Sequence, residues 1–278
     1  MPTYSTPEQK LGRSFWALTI SQFLGAMNDN AFRWVVALGL VAKFSYEFDA
    51  DGNLINNFGP VTITGALMAI PYILFSAAAG VVADRLGKRR MIVWMNATEA
   101  FLMVLGMLAF MADSALMAYL VLFLMLTQSA FFSPAKYGII PELVPRERLS
   151  FANGIIGATT YLSIILGTIG GTALFAIFGP AENQPRAPLT PHWQAAILFV
   201  VVAIVGFLVS LMVRDTGVRS GQKEANVWFW QDIARNLRSV RGRRYLHLSL
   251  YAVGFFLFLG AFTQLNVAPF GINILDLP

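Results

Sequence analysis

Apolar runs of about twenty residues recur seven times along this chain, parted by polar loops, and no other feature constrains its fold as much. A helix needs about 20 mostly apolar residues to cross a bilayer core. The composition agrees. Apolar residues make up 56% of the 278 and charged residues 13%, where a soluble domain carries roughly 25% charged residues. The expected fold class is all-α, a polytopic helical membrane protein. The helices are expected at about 15–42, 60–82, 91–111, 115–134, 151–178, 194–213 and 245–265. Pro71 falls inside the second run, where neighbouring helices accommodate it, and the fourth is expected to end near Pro134.

Lys and Arg counts orient the bundle. The segments 1–14, 84–90, 135–150 and 214–244 together hold seventeen of them, and the opposite loops hold only Lys43 and Arg186. By the positive-inside rule the N-terminus and the 214–244 segment are cytoplasmic. The net charge of +5 therefore reflects topology, not a nucleic-acid surface. With no cysteine there is neither a disulfide nor a thiolate metal site. No Walker lysine motif, nucleotide fingerprint or zinc spacing is present, so no cofactor, metal or enzymatic activity is expected. Asp49, Asp51, Gly52 and Asn53 read as an Asp-Gly turn, since a calcium loop needs a later acidic ligand.

Three divisions follow: a six-helix transmembrane bundle over 1–213, a basic cytoplasmic linker over 214–244, and the start of a second half over 245–278. In the linker, Val227, Trp230, Ile233, Ala234, Leu237 and Val240 recur at helical spacing beside Arg235, Arg238 and Arg241, as in an amphipathic helix on a lipid surface.

The first helix is unusual. Its middle carries Gln22, Asn28, Asp29, Asn30 and Arg33. Ionisable groups inside a spanning helix are expensive and mark functional sites by default. Gln22, Gly25, Asp29 and Arg33 share one face. Asn28 and Asn30 flank it at about 100° to either side, placed to brace neighbouring helices. Two readings stay open. Either this face lines a pathway, with Arg33 forking onto a phosphate and Asp29 meeting an amine or a coupling cation, or Asp29 and Arg33 neutralise each other. Glu99 is the other acid well inside the bilayer. It lies about 13 Å in from Arg90 at helical rise, too deep to reach water easily, and serves either coupling or structure. Ser163, Gly167 and Gly171 form a small-residue packing stripe in the fifth helix. Lys136 and Tyr137 are expected at the inner surface, as head-group contacts or interfacial anchors.

The loop after the second helix reads Gly80-Val-Val-Ala-Asp84-Arg85-Leu-Gly87-Lys88-Arg89-Arg90. Gly80 would permit close approach and Gly87 a tight turn. This spacing resembles the cytoplasmic loop signature of the major facilitator superfamily. By that resemblance Gly80, Asp84, Arg85, Gly87 and Arg89 belong to a conformational latch between two six-helix halves. Ser133-Pro-Ala-Lys136-Tyr137-Gly-Ile139, the Ser21–Ala31 stretch and Ala152-Asn-Gly154 resemble the lysophospholipid transporter branch, whose members stand alone or are fused to acyltransferase and acyl-carrier-protein synthetase domains. The resemblance implies a transporter of the bacterial cytoplasmic membrane that brings lysophospholipid inward. It also implies a C-terminal half as partner, so that this chain is expected to be part of a longer protein. Drug antiporters of the superfamily carry an Arg in helix 4 and a Gly-Pro pair in helix 5. Leu116–Phe132 has no charge and Leu166–Gly171 no proline. Export of a small drug or metabolite, or a membrane anchor for a fused acylating enzyme, are the alternatives.

Overall fold

The structure, a computed structural model, describes residues 11–44, 47–48, 54–55, 59–179, 188–217 and, between 245 and 263, residues 245, 248–249, 251–256, 258–260 and 262–263. Six long helices run through the described residues: α1 (Arg13–Phe44), α2 (Gly59–Leu86), α3 (Lys88–Met111), α4 (Ala115–Leu143), α5 (Leu149–Phe178) and α6 (Trp193–Ser210). Two short strands, β1 (Glu47–Phe48) and β2 (Leu54–Ile55), pair antiparallel between α1 and α2, with Glu47 opposite Ile55. The expected turn at Asp49–Asn53 and the expected surface helix at 227–240 lie outside the described residues. The described residues between 245 and 263 have helical backbone, and their apolar side chains, Phe255, Phe256 and Phe258 among them, are exposed.

The fourth helix corrects an expectation. It continues past Pro134 and Pro141 to Leu143, so the stretch 135–143 is helix and not loop. Proline removes one backbone donor, but a packed membrane bundle tolerates it where neighbours close around the helix. Here α4 lies between α2 and α3. Only Val144, Pro145 and a single 3-10 turn, Arg146–Arg148, separate α4 from α5.

Tight turns hold the other joints. Gly87 alone links α2 to α3, at φ 83°, a left-handed conformation that favours glycine. Between α3 and α4, Asp113 adopts φ 52° and the Ser114 hydroxyl accepts from the Met117 N–H at 3.3 Å, capping α4.

Four of these segments are long and apolar enough to cross a membrane: Lys88–Met111, Ala115–Leu143, Arg146–Phe178 and Thr190–Ser210. The outside of the bundle is apolar. Ile73, Trp94, Leu116, Tyr161, Ile169 and Ile177 are all at least 60% exposed, as lipid-facing side chains are. α1 is central, packed against α5 most extensively and against α2, α4 and α6 as well. In lipid no hydrophobic force drives helices together, so close packing and interhelical hydrogen bonds must do it. The stripe on α5 provides the first. A Cβ at Gly167 would lie 2.4 Å from the Met27 carbonyl oxygen, and one at Gly171 would lie 2.5 Å from that of Ala31.

The buried apolar residues form two clusters. One joins Phe32, Val36 and Leu40 of α1 to Phe110, Leu122, Met125 and Phe199. The other joins Phe15 and Leu18 to Met91, Ile92, Ile139, Ile140 and Ala152. The polar middle of α1 lies between them.

At the end of the bundle nearer the first cluster, Asp113 ties three segments together. Lys43 at the end of α1 pairs with its Oδ2 at 2.5 Å and donates to its carbonyl oxygen at 3.0 Å. The Leu189 N–H donates to Oδ1 at 2.6 Å. Burial acts to raise this carboxyl. The Lys43 bond, the Leu189 N–H and the Lys43 charge outweigh it, and the carboxyl sits below its usual range. A depressed carboxylate stabilises the fold above its ordinary pKa, and that stability is lost as pH falls through the lower folded value. The melting temperature of the purified full-length protein is therefore expected to fall on acidification below about pH 4. Asp113→Asn, which still accepts the left-handed backbone, should flatten that dependence. An unchanged pH profile in the variant would contradict the assignment.

Candidate functional site

Between the two apolar clusters lies a cavity of about 230 Å³. α1 lines it with Ser21, Gln22, Gly25, Ala26, Asp29, Asn30 and Arg33, one or two residues from each successive turn. α3 contributes Asn96 and Glu99, α4 contributes Gln128, Ser129, Ser133 and Lys136, α5 contributes Thr160, and α2 contributes Tyr72. Leu126, Phe132 and Ile164 supply apolar wall.

The acids sit near the middle. Asp29 Oδ2 accepts from the Ser129 hydroxyl at 2.5 Å, and Asp29 Oδ1 is buried without a hydrogen-bond partner. Glu99 is buried, and its Oε1 accepts from the Asn28 amide at 3.3 Å. Gly25 makes room for it, since a Cβ there would lie 2.9 Å from Glu99 Oε2. A buried carboxylate oxygen without a donor is costly. Asp29 thus has an acceptor to offer a cationic or hydrogen-bearing ligand.

The cations enter at two levels of α1. Arg33 Nη2 donates to Asn30 Oδ1 at 3.1 Å, and its guanidinium lies 5.6 Å from the centroid of the Trp34 ring. Nearer the α1 N-terminus, Lys136 Nζ lies 3.4 Å from Gln22 Oε1. Gln22 also donates to the Thr159 hydroxyl at 2.9 Å and accepts from Thr160 at 3.0 Å, so it joins α1 to α4 and α5.

Most of the expected set meets here. Gln22, Asp29, Asn30, Arg33 and Glu99 all line the cavity. Asn28 does not line it. It is buried and braces α1 to α3 and α6 through Glu99 and the Phe199 carbonyl oxygen, at 3.3 and 3.2 Å. Lys136 corrects an expectation. It is 8% exposed and belongs to the cavity, not the membrane surface, because α4 runs on as helix past Pro134 and carries it inward. Tyr137, the next residue, is 47% exposed. The sequence reading missed Ser129, Ser133 and Gln128. The signal was available, since Ser129, Ser133 and Lys136 follow at i, i+4 and i+7 on a largely apolar helix.

The loop residues lie at the other end of the bundle. Lys88 pairs with Glu142 at the end of α4, and Glu142 also accepts from the Thr216 hydroxyl. Arg89 donates to the Val213 carbonyl oxygen at 2.6 Å and the Leu211 carbonyl oxygen at 3.4 Å, capping α6. Gly80 has open space where a Cβ would stand, so the expected close approach is absent among the described residues. Asp84 and Arg85 end α2 in backbone terms, and their side chains lie outside the described set.

The family model described as Major Facilitator Superfamily matches residues 17–277. The lysophospholipid transporter LplT of Photorhabdus laumondii subsp. laumondii is 30% identical over 208 residues, covering 74% of this chain and 43% of that protein. The lysophospholipid transporter LplT of Escherichia coli O1:K1 is 32% identical over 158 residues, 57% of this chain and 36% of the relative. The chain spans less than half the length of these curated relatives.

Proposed function

The chain belongs to the Major Facilitator Superfamily, and we propose that the whole protein moves lysophospholipid across the bacterial cytoplasmic membrane by alternating access. Transporters of this kind rock two bundles about a site near the midplane. In this reading 1–213 is the N-terminal bundle, 214–244 the cytoplasmic link, and 245–278 the opening of the second bundle. The N-terminus faces the cytoplasm, as the Lys and Arg counts suggest. Asp84, Arg85, Gly87 and Arg89 would then belong to the latch on that face, with Gly80 leading into it. Tyr137, exposed on α4 beside Lys136, is left as an interfacial anchor.

One observation carries the reading: a single cavity holds two acids and two cations from three helices. That arrangement suits a zwitterionic phosphodiester. Arg33 forks onto the phosphate, and the free Oδ1 of Asp29, with Glu99 beside it, meets the amine. The size agrees. Drug-sized ligands occupy about 300–1,000 Å³, and 230 Å³ admits a head group without its acyl chain. The chain would stay in lipid, out of the cavity. The relatives' names support the same substrate.

The test is uptake of labelled lysophosphatidylethanolamine into spheroplasts making the full-length protein. Accumulation well above cells lacking it is expected. Absence of lipid uptake together with efflux of a cationic drug would replace this reading with the exporter alternative. A fused acylating enzyme that works without any lipid movement would leave the protein as an anchor.

A further inference from the structure

The cavity holds a cation that the reading above leaves unused. Lys136 is buried on α4 and faces the cavity beside Gln22. An ammonium carries three donors and no acceptor. Its hydrogen-bond partner here is one neutral oxygen, Gln22 Oε1, at the long distance of 3.4 Å, and Thr160 already donates to that oxygen. The Tyr137 ring adds a cation–π contact at 4.8 Å. Lys136 takes part in neither the Lys43–Asp113 nor the Lys88–Glu142 ion pair. A buried charge so thinly partnered is costly unless something else pairs it. At membrane depth, charges of this kind mark a substrate path.

We propose that Lys136, with the Ser133 hydroxyl, forms an oxyanion subsite for a phosphate group, separate from Arg33. The proposal rests on the lysophospholipid reading for its substrate and deepens it. Gln22, which Lys136 touches, precedes Arg33 by eleven residues on α1, about 16 Å along the axis. Asp29 lies between those levels. The cavity therefore offers a phosphate two stations, one on each side of the carboxylate that holds the amine. Arg33 serves the station nearer the α1 C-terminus and Lys136 the station nearer its N-terminus. A head group passing along the cavity exchanges one cation for the other.

The experiment is equilibrium binding to the full-length protein in nanodiscs. The probes are labelled lysophosphatidylethanolamine, the phosphate-free monoacylglycerol of the same chain length, and labelled inorganic phosphate. Glycerophosphoethanolamine is the competitor. Lys136→Gln is expected to weaken lysophosphatidylethanolamine about tenfold, the scale of one hydrogen bond to a charged group, and to leave monoacylglycerol unchanged. Lys136→Arg should restore most of the loss. Competition by glycerophosphoethanolamine in wild type but not in Lys136→Gln identifies the lipid head group as the source of the phosphate. Lys136-dependent binding of inorganic phosphate without binding of the lipid keeps the subsite and removes the lysophospholipid reading. Equal lipid affinity in wild type and Lys136→Gln overturns the subsite while leaving that reading intact. An equal loss for monoacylglycerol also overturns it, because the effect would then be one of shape. Wild type that binds no phosphate compound at all overturns it too.

Discussion

Gly171→Ala is expected to lower the melting temperature of the full-length protein by several degrees, and Gly167→Ala/Gly171→Ala to lower it about twice as far. Gly170→Ala, one residue away, should leave it unchanged or slightly raised, since alanine favours the helix and meets nothing there. The three sites differ in the space open to a methyl group. A methyl at Gly171 would lie 2.5 Å from the Ala31 carbonyl oxygen and 2.8 Å from its Cα, and one at Gly167 would lie 2.4 Å from the Met27 carbonyl oxygen. Nothing lies within 4 Å of the corresponding point at Gly170. The obstructing atoms are mostly backbone, so α1 and α5 must separate along their length. Overpacking costs roughly 1–3 kcal/mol per site, and for a bundle of this size about 2–4 °C accompanies each kcal/mol. The effect reaches the site as well, because α1 carries the cavity face and α5 holds Thr160 against Gln22. Detergent-solubilised protein followed by a thermal shift assay reads all three variants. A melting temperature that rises equally in both variants, at 170 and at 171, would mean that helix propensity, not the α1–α5 contact, sets the stability.

The residues explain how far the sequence could be read. Apolar length alone predicts six helices to within a few residues at most ends, because lipid leaves the backbone few alternatives. The α1 face was legible for a related reason. Polar groups in an apolar run are costly, so Gln22, Asp29 and Arg33 stand out, and helical spacing puts them on one side. The error came at Pro134. Proline is a strong stop signal for a soluble helix, but here α4 passes through two prolines between neighbouring helices. Ending the helix there placed Lys136 at the membrane surface and hid its part in the cavity. Ser129 was passed over because serine is inconspicuous in a membrane helix. Its importance comes from contact with Asp29 across two helices, which no local pattern records. The braces at Lys88–Glu142 and Lys43–Asp113 are long-range in the same way.

The second large effect is on transport. Asp29→Asn and Arg33→Ala are each expected to cut lysophosphatidylethanolamine uptake by about tenfold or more, since a hydrogen bond to a charged group is worth roughly 1.5–3 kcal/mol. Asp29→Asn keeps the shape of the side chain and an acceptor for Ser129, so its loss reports charge and not folding. The two residues stand one turn apart on one helix. Opposite charges so placed can simply balance each other, and single variants would then suffer because each leaves an uncompensated charge in the membrane. The double variant separates these accounts. If the pair serves the substrate, Asp29→Asn/Arg33→Ala loses the contacts to amine and phosphate together. If it serves only neutrality, removing both charges relieves what removing one creates.

The decisive measurement is therefore the initial rate of labelled lysophosphatidylethanolamine uptake by full-length wild type, the two single variants and the double variant, at matched amounts of folded protein. If the charged face of α1 binds the substrate, the double variant is at least as inactive as either single one. A double variant that recovers towards wild type would contradict that binding and reduce the charged face of α1 to a structural counterbalance.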